Sequence, residues 1–404
     1  MSVPSIAPAE FRGRQLATKA AAAARGLDGL LVWSTGGSAL DGYADVFWLT
    51  NHYSQVPRVN IEIPGIMRGW GQTAFILPSS ASEGTLVVES NDWRRDLVVA
   101  DQVVHSHDLY QQVVKAVREA GLAEGRLGLI GAAIMPANAW HLISEALPRA
   151  HFEPADDILL SQRMRKSPDE IEMMRHASVV GAALQNAMFQ AVDVGRTDDD
   201  LVREAYNVCC DLGAVPWEFA FASGPQSGHG YWGRLPAWDR QRKYVEGDIV
   251  HPDAYGCVNG YFYDVQRTYI VGGKPDERLL RLLDGVVGVV EALCAACRPG
   301  TPVAEVARLR DTWLAEHGLG QPKVPPSDEK LLTPLAASGH GVGTGFELPW
   351  IYEGSTDVLE PGMTLALEVY VSEPGLGTVA NEEVVLVTTG EPEVLTLSSP
   401  ARHW

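Results

Sequence analysis

The chain has 404 residues, 46% of them hydrophobic and 21% charged, and carries a formal net charge of −19 at pH 7. That length allows two domains with sizeable cores, and the composition is that of an ordinary soluble globular protein. So acidic a balance argues against nucleic acid or an anionic membrane as the main partner. The five cysteines, at 209, 210, 257, 294 and 297, make no disulfide framework. Cys294-Ala-Ala-Cys297 has redox or zinc spacing but lies in an apolar helical run without a second Cys/His pair, so it reads as helix packing. The first residues lack the pattern of a signal peptide, and the longest apolar run, near Val286 to Cys297, is too short to span a bilayer. A reducing, cytoplasmic setting is expected.

In chain order, an alanine-rich helix is expected over Glu10 to Gly26, followed by a strand at Leu27–Trp33. Strands at Val46–Leu49, Gln72–Leu77, Gly84–Val88 and Leu127–Ile130 alternate with helices at Leu109–Glu119 and Asn138–Leu147. This alternation implies a first α/β domain over residues 1–160. Pro154 to Arg165 reads as a connection. Ser167-Pro168-Asp169-Glu170 then has the form of a capping box, opening a long helix to about Val194, with a second helix over Thr197–Cys210. A hairpin within Gly247–Gly272, helices over Asp276–Ala296 and Val303–His317, and a hairpin within Thr364–Thr388 complete a second domain over 161–404. Helix, helix, loop, hairpin thus occurs twice, suggesting a duplicated unit.

The first hairpin carries chemistry. Asn259-Gly260 favours a two-residue type I′ turn, which places Val258 opposite Tyr261, Tyr255 opposite Asp264 and Asp253 opposite Gln266. Asp253 and Asp264 are then diagonal neighbours on one face, about 7 Å apart at the backbone, within reach of one cation or a close pair. Two solvated acids on an exposed strand are the plain alternative. The apolar neighbours Val250, Phe262, Val265, Tyr269 and Ile270 favour burial, where unpaired carboxylates are costly. The second hairpin places Glu368 and Glu382 inside apolar strands, where a lone carboxylate is out of place. His340, in Gly339-His-Gly-Val-Gly343, is flanked by residues that allow close backbone approach. Two Asp, two Glu and one His suit a pair of Mn, Fe, Co or Zn ions, and such a site generates hydroxide near neutral pH.

The order Asp-x10-Asp, Gly-His-Gly-x-Gly, Glu, Glu, with Asp264-Val-Gln-Arg-Thr268 and Glu360-Pro-Gly-Met363, resembles the methionine aminopeptidase/prolidase/creatinase family. The resemblance implies an α+β protein: a C-terminal pita-bread catalytic domain behind a smaller N-terminal creatinase-like domain. It implies two divalent metal ions on Asp253, Asp264, His340, Glu368 and Glu382, with Asp264 and Glu382 bridging and manganese among the candidates. It makes Glu368 the general acid/base and Thr268 a partner of a ligand carboxylate. It matches His229, in Ser223-Gly-Pro-Gln-Ser-Gly-His229, to a substrate-side catalytic histidine.

Three positions depart from the pattern. Family peptidases usually have a histidine seven residues after the metal histidine, where this chain has Glu347. Ala336 and Ala380 stand where several members have a histidine and an arginine. Glu347-Leu-Pro349 with Glu368-Val-Tyr-Val-Ser-Glu373 is similar to dimethylsulfoniopropionate lyases of the same fold. Those have an extra aspartate in the first hairpin motif, where this chain offers only His251 and Asp253. Glu347, Trp232 and Trp350 are read as substrate contacts, with Trp217 and Trp238 near the same mouth, which suits an apolar or cationic small molecule.

The expectation is a dinuclear metallohydrolase that cleaves a C–N bond, in an Xaa-Pro-like dipeptide or small amide, through a metal-bridging hydroxide. The alternatives are a non-peptidase member, such as a lyase or a creatinase-like hydrolase of a small zwitterion, and a non-catalytic scaffold. A homodimer is expected, with Tyr43, Trp48, Tyr53 and Trp70 as candidates for a wall against the partner's site.

Overall fold

Local sequence signals set many element ends in the computed structural model, which describes residues 4–37, 41–54, 56–80, 83–228, 240–273, 275–319, 337–397 and 402. Two compact units separate at Arg163/Met164.

The first unit contains helices α1 (Pro8–Ala24), α2 (Ala44–Thr50), α3 (Leu109–Glu119), α4 (Ala137–Ala146) and α5 (Asp156–Arg163). Its strands are β1 (Gly29–Thr35), β2 (Gln72–Pro78), β3 (Thr85–Val88), β4 (Gln102–His105), β5 (Arg126–Ile130) and β6 (His151–Pro154), in the sheet order β4-β3-β2-β1-β5-β6. Alternation divides the central strands between two cores. Leu31, Trp33, Ala74 and Ile76 pack with Tyr110, Val113 and Ile143 of α3 and α4. Leu30, Val32, Phe75 and Leu77 pack with Val46, Trp48 and Leu49 of α2 and with Ile158 and Leu159 of α5. Helices therefore cover both faces of the sheet.

Two local expectations are corrected. Val46–Leu49 lies in helix α2, not in a strand. Four consecutive apolar residues cannot distinguish the two periods, and Asn51, at φ 56°, closes the helix as its left-handed cap. The supposed connection at Pro154–Arg165 contains helix α5, whose Ile158 and Leu159 fill the core.

The second unit opens with α6 (Pro168–Ala191), where Ser167 and Glu170 form the capping box, and α7 (Asp198–Leu212). Strands β7 (Val215–Ser223), β8 (Ile249–Val258), β9 (Tyr261–Gln266) and β10 (Tyr269–Ile270) follow, then α8 (Glu277–Ala296) and α9 (Val303–Glu316). Last come β11 (Gly339–Val342), β12 (Phe346–Trp350), β13 (Thr364–Glu373), β14 (Gly377–Leu386) and β15 (Glu393–Val394). One sheet runs β10-β8-β7 with β9 paired to β8; the other runs β12-β11-β13-β14-β15.

The β8–β9 turn has φ 48° at Asn259 and 79° at Gly260, the type I′ signature. The register pairs Val258 with Tyr261, Tyr255 with Asp264 and Asp253 with Gln266, as the turn chemistry requires. Which face each strand buries follows from its helix. Leu365, Leu367, Val369 and Val371 enter the core with α8 and α9, so Ala366, Glu368 and Tyr370 point away from it. Gly181 of α6 approaches Tyr263 and Val265 so closely that a Cβ there would lie 2.8 Å from the Tyr263 Cβ. Asp264 and Gln266 therefore turn to the other side. Strand β14 lies against β8 and β9, and the acidic faces of the two hairpins meet.

Candidate metal centre

Ladder geometry brings the carboxylates together. Glu368 pairs directly with Glu382 across β13–β14, and Asp253 lies diagonal to Asp264 across β8–β9. Ligand atoms of Asp264, His340 and Glu382 all lie within 4.8 Å of one another, and all three residues are buried. The His340 Nε2 is 3.6 Å from an Asp264 oxygen. Its Nδ1 is 2.9 Å from the Gly341 carbonyl. A carbonyl only accepts, so Nδ1 carries the proton and Nε2 presents its lone pair to the acids.

Burial raises the carboxyl of Asp264 well above the usual range, and the charges of Asp253 and Glu368 push it further. The same order of causes holds for Glu382, where burial leads, Asp264, Asp253 and Glu368 add to it, and Arg267 opposes. Glu368 is pushed up to about 7 by burial and by Asp253, against a hydrogen bond from Tyr370. Burial lowers His340, against its bond to Gly341 and the nearby Glu347 charge. A buried imidazole kept neutral beside carboxylates that repel one another is a donor set for a hard divalent cation. One oxygen of Glu382 is buried with no hydrogen-bond partner, as a carboxylate made to meet a cation would be. The residues present fit a metal.

Supporting contacts went unseen in the sequence. Fully buried Arg267 pairs with Glu383 at 3.0 Å and donates to the Glu382 carbonyl, which clamps the backbone beside a site carboxylate. Arg267 belongs to the Asp264–Thr268 motif, but its partner Glu383 is 116 positions away, beyond any local pattern. Thr268 hydrogen-bonds the Ala380 backbone in both directions, at 2.8 and 2.9 Å. It therefore ties β14 to the first hairpin rather than meeting a ligand carboxylate. His251 is buried, with Nε2 3.3 Å from the Ser227 carbonyl.

The expected substrate contacts fare unevenly. Trp350 is 40% exposed, with its ring 5.0 Å from that of His340. Glu347 is buried, and its carboxylate is engaged by Lys166 at 2.6 Å and by Thr344. His229, Trp232 and Trp238 lie outside the described residues, as does Ala336. Trp217 stacks on Phe262 at 6.5 Å. Of the dimer-wall candidates, Tyr43 and Trp48 are core residues, Tyr53 is half-buried and Trp70 is exposed. Among the described residues, no helix is long and apolar enough to cross a membrane.

Residues 172–389 match the model of metallopeptidase family M24, and residues 14–165 match the creatinase/prolidase N-terminal domain. A probable dipeptidase PepE of Mycobacterium tuberculosis is 29% identical over 281 residues, covering 65% of this chain and 69% of that protein. An Xaa-Pro dipeptidase of Pyrococcus furiosus is 27% identical over 249 residues, covering 61% and 66%. The solved Xaa-Pro dipeptidase of Bacillus anthracis superposes with a TM-score of 0.76 at 21% identity, over 97% of this chain and 99% of that one, a likeness of fold. The two-domain, pita-bread architecture is thus shared along nearly the whole chain.

Proposed function

The chain belongs to metallopeptidase family M24, and on that footing we propose that it is a divalent-metal-dependent hydrolase of a C–N bond, in an Xaa-Pro-like dipeptide or a small amide. One observation carries this reading: buried Asp264, His340 and Glu382 converge within 4.8 Å, with Asp253 and Glu368 close enough to raise the carboxyls of Asp264 and Glu382. Asp253, Asp264, His340, Glu368 and Glu382 would hold two ions, of Mn, Fe, Co or Zn, with Asp264 and Glu382 shared between them. Bound there, such ions would make water a nucleophile near neutral pH and would polarise the scissile carbonyl.

The protein's own groups do the rest. Glu368 takes a proton from the attacking water and returns it to the leaving nitrogen. His340 stays neutral because burial disfavours its charge. His229, matched on its sequence motif, would serve as the substrate-side catalytic histidine. Trp350 offers an exposed ring at the edge of the site, for an apolar or cationic group. A cytoplasmic homodimer belongs to the same proposal; sedimentation at micromolar concentration tests the dimer.

A second reading, a non-peptidase acting on a small zwitterion, is favoured by Glu347. It stands where the family's peptidases usually have a histidine, and Lys166 holds it inside the protein. Elemental analysis of the purified protein, with assays of Xaa-Pro dipeptides against small zwitterionic amides under Mn, Co, Fe and Zn, tests both. Dipeptide turnover selects the first reading, and zwitterion turnover alone selects the second. A protein that binds no transition metal, and gains no melting temperature on adding one, overturns the metal-dependent reading and favours a non-catalytic scaffold.

A further inference from the structure

We propose that the buried Lys166–Glu347 ion pair is a positioning device for His340, tying the strand beside that imidazole to the start of helix α6. The inference rests on the reading of His340 as a metal ligand. Lys166 Nζ donates to Glu347 at 2.6 Å, and both side chains are 1% exposed. The other Glu347 oxygen accepts from the Thr344 backbone N–H at 3.0 Å and the Thr344 hydroxyl at 3.2 Å. The turn wraps this carboxylate tightly, since a Cβ on Gly343 would lie 2.6 Å from it.

The far end of the pair is equally fixed. The Lys166 backbone N–H donates to the Gly362 carbonyl at 2.8 Å, and the next residue, Ser167, caps α6. The near end reaches His340 through the ladder. Glu347 pairs with Gly341 across β11–β12, and a Cβ on Gly341 would run into the Leu348 carbonyl. The Gly341 carbonyl receives the His340 Nδ1 proton, and so aims Nε2 at Asp264. Phe346, the neighbour of Glu347, sets its ring 4.3 Å from that of His340. For stability alone, two apolar side chains would serve as well as a buried ion pair. What the pair adds is a fixed length and direction between α6 and β12. Neither residue contacts substrate in this arrangement; both act through His340.

Cobalt(II) titration with its visible absorption, beside thermal melting of the metal-free protein, tests the proposal. The double variant Lys166→Met/Glu347→Gln removes both charges and leaves neither buried alone. A folded double variant should bind cobalt about tenfold or more weakly and show an altered cobalt band. Lys166→Arg alone should keep most of the affinity. Wild-type affinity and an unchanged band in the folded double variant overturn the proposal. Should that variant not fold, Glu347→Asp, which keeps both charges but draws the carboxylate back by one methylene, is read the same way. A wild-type protein that binds no cobalt would overturn the metal reading itself, a distinct outcome.

Discussion

Glu368 and Glu382 stand directly opposite each other in the β13–β14 ladder, both buried. Two carboxylates so placed repel unless a proton or a cation lies between them.

The metal-free protein should therefore lose stability as pH rises. Glu368 has a folded pKa of about 7 against 4.5 when unconstrained, so the folded state binds the proton more tightly. Its contribution is present below 4.5 and is lost as pH climbs through 7, amounting to about 3 kcal/mol. Asp264 and Glu382, also raised, act in the same direction. His340 is lowered and has the opposite slope, finished above pH 6.5. Urea denaturation of chelator-treated protein between pH 6.5 and 8.5 should show declining stability, restored by manganese. A flat or rising profile would contradict the arrangement.

Asp264→Asn removes one of the repelling charges. The metal-free variant should be more stable than the wild type by about 1–2 kcal/mol, while the rise in melting temperature on adding metal disappears. Loss of stability without metal would show that the hydrogen bond between Asp264 and Glu382 outweighs their repulsion.

Arg267→Met leaves Glu383 buried without its cation. The expected cost is about 3–5 kcal/mol in denaturant unfolding. Arg267→Met/Glu383→Leu should recover much of it, because no lone charge remains. Equal losses in the two variants would locate the effect in the contact to the Glu382 backbone instead.

His229→Ala should keep metal content and melting temperature while lowering kcat by about 10²-fold or more, the range of a lost acid/base or oxyanion contact. Trp350→Ala should raise KM with kcat little changed, the mark of uniform binding. Unchanged kinetics in His229→Ala would remove that residue from the catalytic group.

The first hairpin was legible almost residue by residue. Asn259-Gly260 admits one tight turn, and turn type with strand alternation leaves one register. The acids of the second hairpin stood out because carboxylates inside apolar strands need a reason. Val46–Leu49 is helical where a strand is expected, because four apolar residues satisfy either period. Glu347 meets Lys166, which lies 181 positions away in the chain, so no local pattern announces that pairing.

From sequence alone came the two-domain plan, the metallopeptidase pattern and the residue types able to grip a cation, because turn chemistry, periodicity and misplaced charge act over a few neighbouring positions. The tertiary structure decided how those residues meet. It set Glu368 against Glu382, freed the Nε2 of His340 for the acids, clamped β14 through Arg267 and turned Glu347 inward onto Lys166. These outcomes depend on which faces the helices cover and on how burial shifts a proton. Both are properties of distant segments packed together, and no local pattern encodes them.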